Sequence, residues 1–354
     1  NKPVLCPPNP LWMKHEEVTM AEMLKKAGYT TCHIGKWHLG PDAWYPETQG
    51  FDYNIGGCDY GQPPSYFDPY DNKRLDNIPT LKPRDKGEYL TDRLGDEAVR
   101  FMKKHKDQPF FLYMANYAVH TPIQAKESYI EKYKNKPKTE NHDNAKYAGM
   151  VESVDDCVGK IMNTLDELDL ADDTLIIFTG DNGGLEPVTD NAPLRAGKGH
   201  PYEGGIREPL IVRWPGKVEA GRVSDEPVTS VDFFPTICQA AGVGLPENRA
   251  IDGETMMPLL RQGGGMKRDA IYWHFPHYRG SIDPYSIIRE GDWKLLKKYG
   301  KGTFELYNLK EDISEKNDLA KQKPDKVKAL NKKLERWLKE TGAKVPIPNP
   351  NYEG

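Results

Sequence analysis

Lys36 and His38 stand two positions apart in GKWHLG, residues 35–40, behind a run at 30–34 that reads as a strand. Along an extended backbone alternate side chains share a face, so the spacing predicts that Lys36 and His38 point one way and Trp37 the other. One permanent cation and one titratable donor delivered to a shared spot is chemistry suited to an anion. Gly35 and Gly40 bracket the pair and allow a sharp turn or a close approach of backbone to ligand. The same pattern also suits a solvated lysine beside a satisfied core histidine, and the rest of the chain must decide.

Four further stretches carry chemistry. In TLIIFTGDNGG (174–184) a buried-type strand ends in Asp181 and Asn182, a carboxylate and an amide oxygen of the kind that hold calcium or magnesium at the carboxyl end of a strand. Asp, Asn and Gly are equally the residues of an ordinary turn. In PFFLYMANYAVHTP (109–122) His120 follows another buried-type strand. NAPLRAGKGHPYEGGIREP (191–209) is a glycine-rich loop carrying Lys198. It is not a nucleotide-binding P-loop, because Ala192 takes the place of the first glycine and Gly199 that of the Ser or Thr after the lysine. YWHFPHY (272–278) offers His274 and His277 to line a pocket, or an aromatic strand packed as core.

These residues need elements to position them. Residues 18–29 read as a helix capped by Thr19 and closed at Gly28, and the strand at 30–34 follows. Residues 41–86, rich in Gly, Pro, Tyr and Asp, have little periodicity and predict a long site-shaping loop, in which Trp44, Tyr45, Tyr60 and Tyr66 could offer flat faces for stacking, although ordinary loop packing is the simpler reading for most of them. Helices are predicted at 91–106, 144–168 and 230–241, and strands at 109–115, 174–179 and 209–214. Continuous apolar strands alternating with helices imply a sheet covered on both faces, the α/β class. The lysine-rich stretch 132–138 reads as a solvated loop. Composition breaks at RQGGGM (261–266), which divides the chain into 1–262 and a smaller domain, 263–354. The smaller domain reads as strands at 271–275, 285–289, 293–298 and 303–307, an antiparallel sheet, followed by a charged helix at 324–340.

At 354 residues the chain can bury a large core. Its 49 Lys and Arg against 53 Asp and Glu give a formal net charge of −4, which supplies no global basic field, argues against a nucleic-acid partner and leaves anion binding to local sites. No apolar run approaches the length of a membrane span. Cys6, Cys32, Cys58, Cys157 and Cys238 are scattered and odd in number, so they fix no redox compartment. The sequence starts at Asn1 rather than methionine, so the lack of a signal peptide leaves localisation open.

Together these stretches resemble the sulfatase family of the alkaline phosphatase superfamily. The resemblance rests on VTMAEMLKKAGYTTCHIGKWHLG (18–40), PFFLYMANYAVHTP, YAGMVESVDDCVGKI (147–161), FTGDNGG, PLRAGKGHPYEGGIREP, VTSVDFFPTICQAAG (228–242), DGETMMPLL (252–260) and ELYNL (305–309), in family order over nearly the whole chain. It implies an alkaline-phosphatase-like α/β fold, a mixed sheet sandwiched by helices, with a smaller C-terminal antiparallel sheet plus helix. It implies that Lys36 and His38 hold the sulfate group and the nucleophile, that His120 and Lys198 contact the sulfate and its leaving oxygen, and that Asp181 and Asn182 are two ligands of a divalent cation, calcium first and magnesium second. His200 and His277 are expected on the substrate rim. The implied partner is a sulfated sugar or an aryl sulfate, and the implied location is periplasmic, secreted or lysosomal. Oligomeric state is not legible.

In this family the nucleophile is a formylglycine hydrate made from a cysteine in a CxPxR or similar signature. It attacks sulfur, the alcohol leaves with a proton from His120 or Lys198, and His38 helps expel sulfate. The sequence departs from that pattern: neither CxPxR nor SxPxR occurs, and no early strand ends in paired aspartates. Cys6-Pro7-Pro8-Asn9-Pro10 has the C-x-P spacing but puts Pro10 where arginine is required. The expectation is that the nucleophile and two metal ligands belong to an N-terminal section outside these residues. Three functions compete: a sulfuric ester hydrolase on a sulfated carbohydrate, a phosphatase or phosphodiesterase of the same superfamily, and a non-catalytic binder of sulfated sugars.

Overall fold

A computed structural model describes residues 2–82, 85–137 and 142–353. The chain runs through β1 (Val4–Leu5), α1 (Met20–Lys26), β2 (Thr30–Gly35), β3 (Tyr53–Ile55), α2 (Leu90–Lys104), β4 (Phe110–Ala115), α3 (Glu127–Lys134) and α4 (Ala145–Glu167). There follow β5 (Ile176–Thr179), α5 (Glu203–Ile206), β6 (Leu210–Arg213), α6 (Phe233–Ala240) and α7 (Met257–Leu260). The last part comprises β7 (Ile271–Phe275), β8 (Tyr285–Glu290), β9 (Trp293–Lys298), β10 (Thr303–Asn308), α8 (Pro324–Glu340) and β11 (Ile347–Pro348).

β2 is the middle of a three-stranded parallel sheet in the order β3-β2-β4. All of its residues after Thr30 are buried, as a strand covered on both faces requires. α1 starts where Thr19 accepts the Glu22 N–H at 3.1 Å while the Glu22 carboxylate accepts the Thr19 N–H at 2.8 Å, a reciprocal cap that satisfies two otherwise orphaned donors. Its apolar face, Ala21, Met23 and Leu24, turns inward. α4 begins at Asn144, whose side chain accepts the Tyr147 N–H at 3.1 Å. The main core joins Ile34 of β2 to Leu90, Leu94 and Met102 of α2 and Met150 of α4.

β5 and β6 form a separate antiparallel pair. Among the described strands β4 pairs only with β2 and β5 only with β6, so each keeps a free edge. Tyr113 on β4 is 42% exposed, Phe178 on β5 38% and Ile211 on β6 60%. The strand at 174–179 is less covered than expected: in β5 Ile176 and Ile177 are half-buried while Phe178 and Thr179 are exposed.

The C-terminal sheet, β10-β9-β8-β7, is antiparallel throughout. Its pleat sends Ile288, Leu295 and Leu306 against Leu330, Leu334 and Leu338 of α8. The opposite face sends Ile287, Leu296 and Tyr307 against Ala196, Tyr202 and Ile206, so this sheet packs on the glycine-rich loop. β1 pairs antiparallel with β11, Val4 opposite Pro348.

The segment 41–86 differs from the predicted loop. It contains β3 and buries Cys58, Tyr66, Tyr70, Ile78 and Leu81 in the main core, so single aromatic and aliphatic residues build core without any periodic pattern. Residues 132–134 close α3 rather than lying in a loop, with Lys132 bonded to Glu152; Lys138 falls outside the described residues. All five cysteines are free thiols.

Candidate active site

The site is built at the ends of β2, β4 and β5. β2 ends at Gly35, opposite Ala115 of β4. A Cβ on Gly35 would lie 2.0 Å from the Ala115 carbonyl oxygen, and its φ is +103°, so only glycine fits. That close approach lets the Lys36 N–H donate to the Ala115 carbonyl at 2.7 Å. Lys36 thus leaves the sheet beside the segment that leads to His120.

His33, which no motif marks in the sequence, fixes the other side of Lys36. Its Nε2 donates to the Lys36 carbonyl at 3.1 Å. The ring is fully buried, edge-on to Trp37 and Phe51, and desolvation pushes its pKa down to about 4, so it is a neutral structural support. Trp37 does turn inward, packing with Ala21 and Phe51 and donating to the Trp44 carbonyl at 2.8 Å. The predicted alternation fails beyond it. The strand has ended at Gly35 and His38 has φ +55°, so Lys36 and His38 do not share one extended backbone. His38 is exposed, with its ring against Gly61.

His120 follows β4. Its carbonyl accepts the Tyr66 hydroxyl at 3.0 Å, and its N–H donates to the Tyr117 carbonyl at 3.0 Å. Tyr66, weighed in the sequence between stacking and loop packing, is fully buried and supports His120. Lys198 is placed through the turn after β5: its N–H donates to the Gly184 carbonyl at 3.0 Å. The Asn191 side chain accepts the Gly184 N–H and donates to the Gly184 carbonyl, at 3.0 and 3.1 Å. A Cβ on Gly183 would lie 1.8 Å from the Gly204 carbonyl oxygen, so the DNGG turn and the lysine loop touch backbone to backbone.

Electrostatics join these segments. Burial lowers the Lys36 pKa, the charge of Lys198 lowers it further, and Asp181 opposes both. Burial also lowers the His120 pKa, against a hydrogen bond to the Thr121 carbonyl; Lys198 and Lys36 add to the lowering and Asp181 opposes it. Lys198 and Asp181 therefore act on both Lys36 and His120, which leave different strands, and an anion placed among the two lysines and the histidine would offset the crowding of positive charge. Glu208, which the sequence also leaves unmarked, has its carboxylate against Gly180, and its pKa is raised by burial and by Asp181. Its only sequence signal is its place in GGIREP.

Asp181 and Asn182 offer one carboxylate and one amide oxygen. Among the described residues no three His, Cys, Asp or Glu side chains gather as a metal-holding group. Calcium takes about six to eight oxygens, so these two residues alone would not complete a shell. At the periphery, His200 stacks on Tyr202 with ring centroids 6.5 Å apart and His277 lies edge-on to Phe275 at 5.8 Å. His274 is held within the C-terminal part: its Nδ1 is 2.7 Å from the Ser286 hydroxyl and its Nε2 3.1 Å from the Lys344 carbonyl.

The sulfatase family profile matches residues 12–243, and that of the N-sulphoglucosamine sulphohydrolase C-terminal region matches 197–344. The chain belongs to the sulfatase family. It is 32% identical over 412 residues to a sulfatase of Formosa agariphila, covering 97% of this chain and 73% of that protein. It is 37% identical over 279 residues to human N-acetylgalactosamine-6-sulfatase, covering 73% of this chain and 51% of the relative. The crystal structure of Ps i-CgsB in complex with k-i-k-neocarrahexaose superposes with a TM-score of 0.81 at 32% identity, over 93% of this chain and 76% of that one. The chain thus spans about half the length of the mammalian relatives it matches. No helix among the described residues is long and apolar enough to cross a membrane.

Proposed function

We propose that this chain forms the sulfate-recognition part of a sulfuric ester hydrolase that acts on a sulfated carbohydrate. The observation that supports the reading is that Lys198 and Asp181 both act on Lys36 and on His120, which the ends of β2 and β4 carry. Two ammonium groups and an imidazole around one spot suit a tetrahedral dianion and the charge that builds on the ester oxygen as it leaves. In this reading Lys36 holds a sulfate oxygen, and Lys198 and His120 face the leaving oxygen and deliver its proton. His38 faces the nucleophile, while His200 and, from the smaller domain beginning near residue 263, His277 form the substrate rim. The carbohydrate substrate is favoured by the relatives, which include an N-acetylgalactosamine-6-sulfatase and a structure holding a neocarrahexaose.

A formylglycine nucleophile and the further oxygen ligands of a calcium or magnesium ion are assigned to residues beyond these 354, since the chain has no CxPxR string, and β4 and β5 each keep an edge with no partner among the described strands. The decisive experiment compares 4-nitrophenyl sulfate with 4-nitrophenyl phosphate on a form extended upstream to include such a string. Preference for the sulfate, lost in Lys198→Met, supports the hydrolase. Preference for phosphate supports a phosphatase, and sugar binding with neither turnover supports a non-catalytic binder.

A further inference from the structure

Arg279 lies between β7 and β8 in the C-terminal part, yet its side chain ends on the Lys198 loop. A Cβ on Gly199 would lie 2.3 Å from an Arg279 guanidinium nitrogen and 2.6 Å from its Cζ, so the guanidinium rests directly on the glycine that separates Lys198 from His200. Gly199 has φ +90°, and the absence of a side chain there opens the seat that the guanidinium occupies.

The backbone fixes this placement. The Arg279 N–H donates to the Ile282 carbonyl at 3.2 Å, and the Ile282 N–H returns a bond to the Arg279 carbonyl at 3.0 Å. Ile282 then packs in the same apolar cluster as Ala196 and Tyr202, which flank Lys198 in sequence. The turn that carries Arg279 and the loop that carries Lys198 share one core. The guanidinium is exposed and, among the described residues, has no carboxylate partner. An arginine prefers a planar, two-pronged anion, and this one has none among the described residues.

We infer that Arg279 is a specificity-determining residue that binds a second anionic group of the substrate, a sulfate or a carboxylate, on the same sugar as the sulfate held by Lys36, His120 and Lys198 or on the next one. The inference rests on the proposed reading of that site. It gives the C-terminal sheet a part in selecting multiply charged sugars over singly charged ones.

The test is calorimetric titration of the 354-residue chain with three probes: N-acetylgalactosamine 6-sulfate, N-acetylgalactosamine 4,6-disulfate, and the 6-sulfated sugar linked to glucuronic acid. The wild-type chain is expected to bind at least one doubly charged probe about tenfold more tightly than the monosulfate, a charge-assisted hydrogen bond's worth of affinity. Which doubly charged probe gains identifies the second group as sulfate or carboxylate. Arg279→Met is expected to bring the ratio to about one with an unchanged melting curve, and Arg279→Lys to keep part of it. Equal binding of all three probes by the wild type, or an unchanged ratio in Arg279→Met, overturns the role of Arg279 and leaves the sulfate site standing. Failure of the wild type to bind any probe, or inorganic sulfate, overturns the sulfate-site reading itself and this inference with it.

Discussion

Lys294 of β9 donates to Glu203 at 2.9 Å and pairs with Glu315 at 2.8 Å, and all three side chains are almost wholly buried. Glu203 opens α5 just after the lysine loop, and its own N–H donates to the Glu315 carboxylate at 2.6 Å. The Glu315 carbonyl accepts Arg195 at 2.8 Å. The C-terminal part therefore grips the loop on both sides of Lys198, at Arg195 and at Glu203.

A buried cation between two carboxylates makes a sharp prediction. Lys294→Ala leaves two acids facing each other out of water, and breaking such a group costs on the order of 3–5 kcal/mol. Urea unfolding should show that loss. Adding Glu203→Gln and Glu315→Gln to Lys294→Met should recover much of it, because the uncompensated charge is then gone. A loss in Lys294→Ala within the range of a surface substitution would contradict the role given to the buried pair.

His33 predicts a pH dependence of stability. Its pKa is depressed from 6.5 to about 4 by burial, so between those values the unfolded chain binds a proton that the folded chain does not. Stability from this group is therefore full above about pH 6.5, falls as pH drops toward 4, and levels off below, for a total on the order of 3 kcal/mol. His33→Phe should flatten that part of a pH series of denaturant midpoints. An unchanged slope in the variant would assign the acid sensitivity to other groups.

Much of the fold is legible in the sequence because periodic burial writes itself there. The 324–340 helix shows it: Leu330, Leu334 and Leu338, read from their spacing, are the residues that α8 buries. The lysines and His120 are legible for another reason, since their residue types and flanking glycines carry chemistry on their face. His33, Tyr66 and Lys294 are not. Tyr66 works through the His120 carbonyl and Lys294 through Glu203, 91 residues away, and no local pattern marks such a pairing. His33 acts on nearby Lys36, but through a backbone carbonyl, which carries no residue-type signal. The alternation of Lys36 and His38 fails because a left-handed φ at Gly35 and at His38 ends the strand geometry on which it depends.

Sulfate binding should be coupled to proton uptake. In the free chain burial and the charges of Lys198 and Lys36 hold the His120 pKa below its ordinary value, and burial and Lys198 do the same to Lys36. A bound dianion favours the charged forms and raises both. Affinity for inorganic sulfate is thus expected to rise as pH falls from neutrality toward the depressed pKa of His120. Titration in buffers of different ionisation enthalpy should register protons taken up on binding. Lys198→Met should weaken binding about tenfold or more, the scale of one charge-assisted contact. Proton release on binding would contradict the placement of the anion among these groups.

The last prediction concerns the cation and turnover together. Asp181 and Asn182 give a divalent ion two oxygens where calcium takes about six to eight, and the described residues gather no third ligand into a metal-holding group. The 354-residue chain on its own is therefore expected to bind calcium only in the millimolar range or weaker, about the level of the loosest natural sites, and to leave 4-nitrophenyl sulfate intact. On the proposed reading the nucleophile lies outside these residues and the covalent route is closed, while the lysines and His120 would still attract the anion. A form extended by a strand ending in paired aspartates and by a CxPxR segment should gain calcium affinity and sulfate-ester turnover together, because on the proposed reading the aspartates complete the shell begun by Asp181 and Asn182 and the segment supplies the nucleophile. The extension should also protect the amides of β4 or β5 from hydrogen exchange, since a strand added along either free edge takes up its unpaired groups. Robust turnover by the purified 354-residue chain would overturn this assignment and return Cys6 to consideration as the nucleophile.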